Sequence, residues 1–67
     1  MTWEKFDVTD YFIENSLYEL KMKNGETHLA IYRGGEFFPN IPNNKSIIFS
    51  KAQIELIRVF YSKQDKI

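Results

Sequence analysis

The sequence contains no cysteine and only one histidine, His28. Without thiols, a disulfide framework and a thiolate zinc site are both excluded. One imidazole is also too few for a conventional histidine metal cage. We therefore expect no metal and no cofactor, and we expect packing or self-association to stabilise the chain.

Long hydrophobic runs are missing as well. No apolar stretch approaches the roughly 20 residues of a membrane-spanning helix. The first residues, Met1 to Lys5, lack the basic region and apolar stretch of a secretory signal. These absences predict a cytoplasmic protein without a membrane partner.

The chain has no overall excess of charge, because nine basic and nine acidic side chains cancel. Residues 1–20 nevertheless carry five acids against Lys5 alone, whereas residues 21–67 carry eight bases against four acids. The neutral total argues against a strongly basic nucleic-acid binder. The asymmetry indicates a charged partner or one segment folded over the other, and ordinary solvated surface charge is the simpler interpretation.

Hydrophobic residues, by contrast, are abundant: they make up 43% of the 67 residues, and aromatic residues alone make up 16%. This composition predicts a folded chain, and the length allows one domain. We expect a single domain over residues 1–67, built from an N-terminal segment (1–16), a β-meander (17–49) and a C-terminal helix (50–63).

The N-terminal segment allows two interpretations. Asp7 would serve as a helix N-cap with Asp10 three residues on, and Val8, Tyr11 and Phe12 would then share one face. The same stretch, residues 7–15, would equally supply a first strand through residues 11–13.

A β-hairpin is predicted where Asn24-Gly25 separates the alternating runs 17–23 and 26–33. Asn-Gly best tolerates the two positive φ angles of a type I′ turn, and its two-residue loop would place Leu20 opposite Leu29. This register sorts the side chains into two faces. The apolar face would hold Tyr18, Leu20, Met22, Leu29 and Ile31, and the polar face Glu19, Lys21, Lys23, Glu26, His28 and Tyr32.

The rest of the meander is less regular. Gly34-Gly35 breaks or bends the strand, and residues 36–38 continue it. The prolines and asparagines of residues 39–44 predict a loop, and residues 46–49 predict a short strand. The meander thus becomes a curved antiparallel β-sheet of three to four strands.

From Ser50 the pattern favours a helix. Ser50 and Gln53 match a capping box, and the polar residues that follow recur at helical spacing: Lys51, Glu55, Arg58 and Ser62. A strand would place Glu55 and Arg58 on opposite faces, which is unfavourable in a half-buried sheet. The predicted fold class is therefore α+β, a curved sheet followed by a C-terminal amphipathic helix.

This helix would carry more apolar surface than one small sheet covers. Pairing two such helices would bury the excess. We therefore predict a homodimer through this helix, with an interface that includes Ile54, Ile57, Phe60 and Tyr61. The alternative is that the N-terminal aromatic residues fold back over the excess.

Catalytic patterns are not recognisable. His28 stands alone in a predicted strand without a nucleophile to activate. Gly34-Gly35 is not followed by the lysine and helix of a phosphate-binding loop. Asp7 and Asp10 are explained by a helix cap. We predict a binding protein and not an enzyme.

Binding patterns are better represented. In the predicted register, Lys21, Lys23 and His28 lie together on the polar face, with Tyr32 at its far end. Lysines contact phosphates and aromatic rings stack on bases, so a cationic track with rings suits single-stranded nucleic acid. The predicted nucleic-acid-binding residues are Lys21, Lys23, His28, Tyr32, Arg33 and Lys45.

The order of elements resembles the PC4-like family of single-stranded-DNA-binding proteins. The resemblance rests on residues 42–54, where a proline, a polar loop, Lys45, a short apolar strand, Ser50 and Gln53 before a large apolar residue follow one another. It implies four antiparallel strands, a dimerising helix and binding of single-stranded DNA. The chain departs from the family at Ser46, usually glycine, and at Ile54, usually tryptophan.

A second interpretation is a small protein-interaction module, such as an inhibitor or accessory subunit of a larger enzyme. The acidic N-terminal segment, the Phe37-Phe38 pair and the wide apolar face would then form the contacts. The neutral net charge favours this interpretation. The Lys-, Asn- and Ile-rich composition points to a bacterial or phage genome.

Overall fold

Five strands form a single antiparallel sheet in the structure, a computed structural model that describes residues 2–40 and 47–62. Along the sheet their order is β1-β5-β2-β3-β4, so the last strand lies between the first and the second. A 3-10 turn, Lys51–Gln53, leads into the last strand. The strands are β1 (Glu4–Lys5), β2 (Leu17–Met22), β3 (Thr27–Arg33), β4 (Glu36–Pro39) and β5 (Ile54–Tyr61).

The predicted C-terminal helix is wrong, and with it the α+β class. Within the described residues, the stretch forms only the 3-10 turn and β5. The Ser50 and Gln53 pattern produces one turn, in which Gln53 N donates to Ser50 O at 3.0 Å without a side-chain cap. From Ile54 onwards, β-branched and aromatic side chains favour the extended backbone.

A register shift explains why β5 has a helix-like pattern. The pairing of β5 with β2 shifts between Lys21 and Met22. An inserted residue changes which side chains face the core, so Ile54 and Ile57, three residues apart, are both buried, with 3% and 5% of their surface exposed. A spacing of three within a strand thus imitates the period of a helix.

The helix through which the dimer was predicted is wrong, because residues 54–61 form a strand. Ile54 and Ile57 belong to the core of the domain. Phe60 and Tyr61 are exposed at 58% and 55%. Self-association therefore stays a prediction, without the helix as its basis.

The hairpin between β2 and β3 exists, but its register differs from the prediction by one residue. Leu20 pairs with His28, and Lys21 pairs with Thr27. The loop has three residues, because Met22 N donates to Glu26 O at 2.8 Å, and only Gly25 has a positive φ, 94°. Such loops combine a type I turn with a left-handed glycine.

This one-residue shift exchanges the faces of β3, as the two-residue period of a strand requires. Ala30 is fully buried on the core side, where His28 and Tyr32 also lie. Leu29 and Ile31 lie on the opposite face, beside Glu19 and Leu17. The predicted face of β2 is confirmed and that of β3 is wrong.

The tight turn lies instead between β3 and β4. Arg33 pairs with Glu36, and the two residues between them are Gly34 and Gly35, with φ angles of 60° and 86°. Two consecutive positive φ angles in a two-residue loop define a type I′ turn. Gly34-Gly35 therefore reverses the chain and extends the meander to a third strand.

The N-terminal segment is neither the helix nor the strand considered for residues 7–15. Asp7 Oδ1 accepts hydrogen bonds from Thr9 N at 3.0 Å and from Thr9 Oγ1 at 2.8 Å, which closes a turn. These bonds, first the backbone and then the side-chain one, lower the pKa of Asp7. Two further bonds hold the segment: Ile13 N donates to the Tyr18 hydroxyl at 2.9 Å, and Asn15 N donates to Tyr32 O at 2.7 Å.

One face of the sheet forms the core, and the N-terminal segment covers it. Phe6 and Phe12 from this segment meet sheet residues in a cluster of five rings, whose contacting centroids lie 5.0 to 6.0 Å apart. We call this set the aromatic cluster: Phe6, Phe12, Tyr18, Tyr32 and Phe37. The N-terminal aromatics thus do fold back, but over a sheet.

Phe49 packs against the other end of the core, and its N–H donates to Phe37 O at 2.9 Å. Residues 47–49, predicted as part of a strand, lie in none, and residues 41–46 are outside the described residues.

Truncation of Phe37 is expected to cost about 3–5 kcal/mol of unfolding free energy, because the ring is fully buried within the aromatic cluster. Its neighbour Phe38 is only half-buried on the other face. Urea unfolding followed by circular dichroism should therefore give a much lower free energy of unfolding for Phe37→Ala than for Phe38→Ala. The value for Phe37→Leu should lie between those of Phe37→Ala and the parent protein. Equal losses for the two alanine variants would contradict this core.

Burial raises the pKa of the Tyr18 phenol, although the hydrogen bond from Ile13 opposes the shift. A raised pKa in the folded state means that stability is intact below the unfolded value and is lost as pH rises above about 10. In an ultraviolet titration, we expect the tyrosine ionisation that occurs at the highest pH to be absent from Tyr18→Phe. A Tyr11→Phe control should leave this last ionisation in place, because Tyr11 is 87% exposed and lies outside the core.

Candidate functional site

The face of the sheet opposite the aromatic cluster is open. Because directly paired residues point to the same side, the registers of the five strands place most of its residues in three rows across the sheet, and the pair Arg33 and Glu36 continues the face beyond them. Every side chain on this open face remains at least partly exposed in the described part of the chain. The lysine row holds Lys5, Leu56, Lys21 and Thr27; the central row holds Trp3, Arg58, Glu19 and Leu29; and the apolar row holds Tyr61, Leu17, Ile31 and Phe38.

The centre of the open face is built around Trp3. Its ring lies over the Arg58 guanidinium, 4.3 Å from centroid to Cζ, and 5.9 Å from Lys21 Nζ. Such contacts are worth about 0.5–1 kcal/mol where exposed. Arg58 Nε also donates to Glu19 Oε1 at 2.5 Å. The guanidinium is thus held between a carboxylate and an indole ring.

This arrangement explains how a strand tolerates Arg58 between apolar neighbours. Its charge lies on the open face, about one-third exposed, and is paired with Glu19. The pair of Arg58 and Glu19 is neutral overall. Lys5 and Lys21 have no ion pair with a described residue, so they add net positive charge to this face.

The predicted nucleic-acid-binding residues are not all brought together. Lys21 lies on the open face, Lys23 lies exposed in the adjacent hairpin loop, and Arg33 lies exposed at the end of β3. Arg33 Nε donates to Asn15 Oδ1 at 3.0 Å. Lys45 is outside the described residues.

His28 and Tyr32 lie on the core side, away from Lys21, because of the one-residue shift in register. The His28 ring lies 5.0 Å from that of Phe49, and its Nε2 lies 3.1 Å from Glu26 Oε1. Tyr32 packs into the aromatic cluster. The prediction that His28 and Tyr32 share a face with Lys21 is therefore wrong.

Among the charged and aromatic members of the open face, Trp3, Lys5 and Arg58 were not indicated as binding residues by the sequence alone. Their meeting depends on β5 lying between β1 and β2, and Glu19 and Arg58 are 39 positions apart. One local signal was available, an arginine with apolar neighbours in a run of β-branched residues. Such a charge requires a partner when the run forms a strand.

Two other properties can be stated for the described residues. They contain no group of three or more side chains suited to holding a metal ion. Nor do they contain a helix of sufficient length and apolar character to span a membrane.

Trp3 and Arg58 are expected to be energetically coupled. Unfolding free energies of Trp3→Ala, Arg58→Ala and the double variant should give a coupling of about 0.5–1 kcal/mol. The matched cycle with Lys21→Ala should give less, because Lys21 lies farther from the ring. A coupling indistinguishable from zero in the first cycle would show that the stacked geometry contributes nothing.

Three comparisons with known proteins give no match: no protein-family model, no curated protein and no solved structure matches the chain. The PC4-like resemblance therefore stays a prediction, and the C-terminal helix that it implied is wrong.

Proposed function

We propose that the protein binds single-stranded nucleic acid on its open face, without catalysing a reaction. The observation that carries the proposal is the Trp3 ring, which lies on Arg58 and is flanked by Lys21. An aromatic surface among cations is what an unpaired strand requires, because bases stack on rings and phosphates bind lysine.

The rows of the open face supply the two kinds of contact in neighbouring positions. Lys5 and Lys21 lie on either side of Leu56, two strand spacings or about 10 Å apart. Trp3 belongs to the next row, so a base stacked on its exposed side would place the adjoining phosphates near the lysines. Stacking of this kind contributes about 1–3 kcal/mol per base.

Charge segregation between the two sides of the sheet also supports the proposal. The acidic N-terminal segment covers the core side, where Asp7 and Asp10 are exposed. The alternation of the strands directs Lys5, Lys21 and Arg58 to the opposite side. A neutral chain therefore presents a face on which basic side chains outnumber acidic ones, so its net charge does not argue against nucleic acid.

The proposal includes a cytoplasmic location, where single-stranded intermediates of a bacterial or phage genome occur. The proposal also includes a homodimer, for which the exposed Phe60 and Tyr61 provide apolar surface.

The apolar row favours a second candidate function, a protein-interaction module. Leu17, Ile31 and Phe38 form a half-buried hydrophobic patch on the open face. Exposed apolar patches are typical of protein contacts. Of the Phe37-Phe38 pair, only Phe38 is available for such a contact, since Phe37 is fully buried.

Replacing both lysines of the lysine row is expected to weaken binding and its dependence on salt. Titration of a labelled oligothymidine with Lys5→Gln plus Lys21→Gln should show a slope of log affinity against log salt smaller by about 1.4, because each phosphate contact on a single strand contributes about 0.7. Lys51→Gln is a matched control for the single variant Lys21→Gln, because Lys51 lies outside the strands, in the 3-10 turn, 3.8 Å from Glu36.

The single tryptophan provides a direct readout of stacking. Oligothymidine should quench Trp3 fluorescence, and Trp3→Ala should weaken binding about 5- to 100-fold, whereas Trp3→Phe should retain part of it. Binding that is unaffected by salt and by both substitutions would contradict the proposal. A loss of partner binding in Phe38→Ser alone would favour the protein-interaction module.

A further inference from the structure

A groove of about 350 Å³ lies on the other side of the sheet, between the N-terminal segment and β5. Phe12, Ile13 and Ile57 contribute apolar surface to it, and Val59, which is 37% exposed, extends that surface outwards. The volume is within the usual range of ligand-binding clefts. The groove and the lysine row therefore lie on opposite sides of the sheet.

The rim of the groove is acidic and aromatic. Glu4 and Asp10 both line it and are both exposed. Tyr11 lines it as well, and its ring is 87% exposed. A large aromatic side chain left in solvent, in a groove that two carboxylates also line, offers a cation–π contact to a positive group that the carboxylates attract.

One basic residue, Arg58, also lines the groove, but strand alternation turns its side chain to the open face. Glu4 pairs with Ile57 and shares its side of the sheet, whereas Lys5 pairs with Leu56 on the open face. The Arg58 guanidinium likewise points to the open face, where it bonds Glu19. The groove is therefore negatively charged although its neighbours in sequence are basic.

We propose that this groove binds an extended segment of another protein that carries arginine or lysine beside an apolar residue. The cation would lie between Glu4, Asp10 and the Tyr11 ring, and the apolar residue would cover Ile57 and Val59. The two carboxylates repel the phosphates of a nucleic acid at this position. The inference concerns a different surface from the open face and does not depend on binding there.

The backbone of β5 provides a further contact for such a segment. Phe6 N donates to Glu55 O at 3.1 Å, and Glu4 pairs with Ile57, so the main-chain groups of residues 55 and 57 point towards β1. The same alternation turns those of Val59 to this side, beyond the end of β1. In this register Thr2 comes opposite Val59 and also lines the groove, so an extended peptide would pair with Val59 as an added strand by replacing Thr2.

The test uses a ¹⁵N-labelled full chain and a short peptide in which valine alternates with arginine. We expect amide shifts at residues 10–13 and 57–59, with none at Lys21 or at the indole of Trp3. A peptide with glutamate in place of arginine should produce no shifts. Shifts confined to the open face, or equal shifts with the acidic peptide, would overturn the inference.

The rim carboxylates are tested by Glu4→Gln plus Asp10→Asn, which should weaken the arginine peptide roughly tenfold. The control is Glu26→Gln plus Glu55→Gln, which removes the same charge from two exposed side chains that do not line the groove. An equal loss in both double variants would show that net charge and not the groove attracts the peptide, and would overturn the inference. Thermal midpoints of both variants verify that the fold is retained.

Discussion

The contact on which the rest of the structure depends is the packing of the aromatic cluster between the sheet and the N-terminal segment. A chain of this length has a small core, and here Phe37, which is fully buried, lies within 6.0 Å of four other rings. Because Phe6 and Phe12 come from the segment before β2, the cluster fixes which face of the sheet is covered. The opposite face is left open as a consequence. The position of every exposed side chain discussed above follows from that choice.

Whether a feature of the fold could be predicted from the sequence depended on whether neighbouring residues alone determine it. The face of β2 was predicted correctly, because its alternation is strict. The face of β3 was not, because Asn24-Gly25 indicated a two-residue loop and the chain forms a three-residue loop, closed by Asn24 Oδ1 accepting from Glu26 N at 2.9 Å. In a strand, one residue of register decides the side on which each group lies. His28 and Tyr32 were therefore assigned to the wrong side, although the hairpin itself was correct.

The error over residues 50–62 has a different origin. Periodicity assumes an uninterrupted element, and an irregularity in the pairing of β5 with β2 places buried residues three apart. The argument that Glu55 and Arg58 would lie on opposite faces of a strand also assumed that neither face could accept a charge. The open face accepts Arg58 because Glu19 and Trp3 come from two other strands or their flanks. Such long-range compensation is invisible in a single sequence, and for the same reason Trp3 was missing from the predicted site.

Because β1 is short, the surfaces on both sides of the sheet depend on the same weak strand pairing. Trp3 and Glu4 are consecutive residues, one on the open face and one on the rim of the groove, and β1, which begins at Glu4, pairs with β5 at two positions only. Short, weakly paired segments open locally long before a domain unfolds. Fraying of this single N-terminal strand would therefore dismantle both surfaces together, so whatever anchors it on one side preserves the shape of the other.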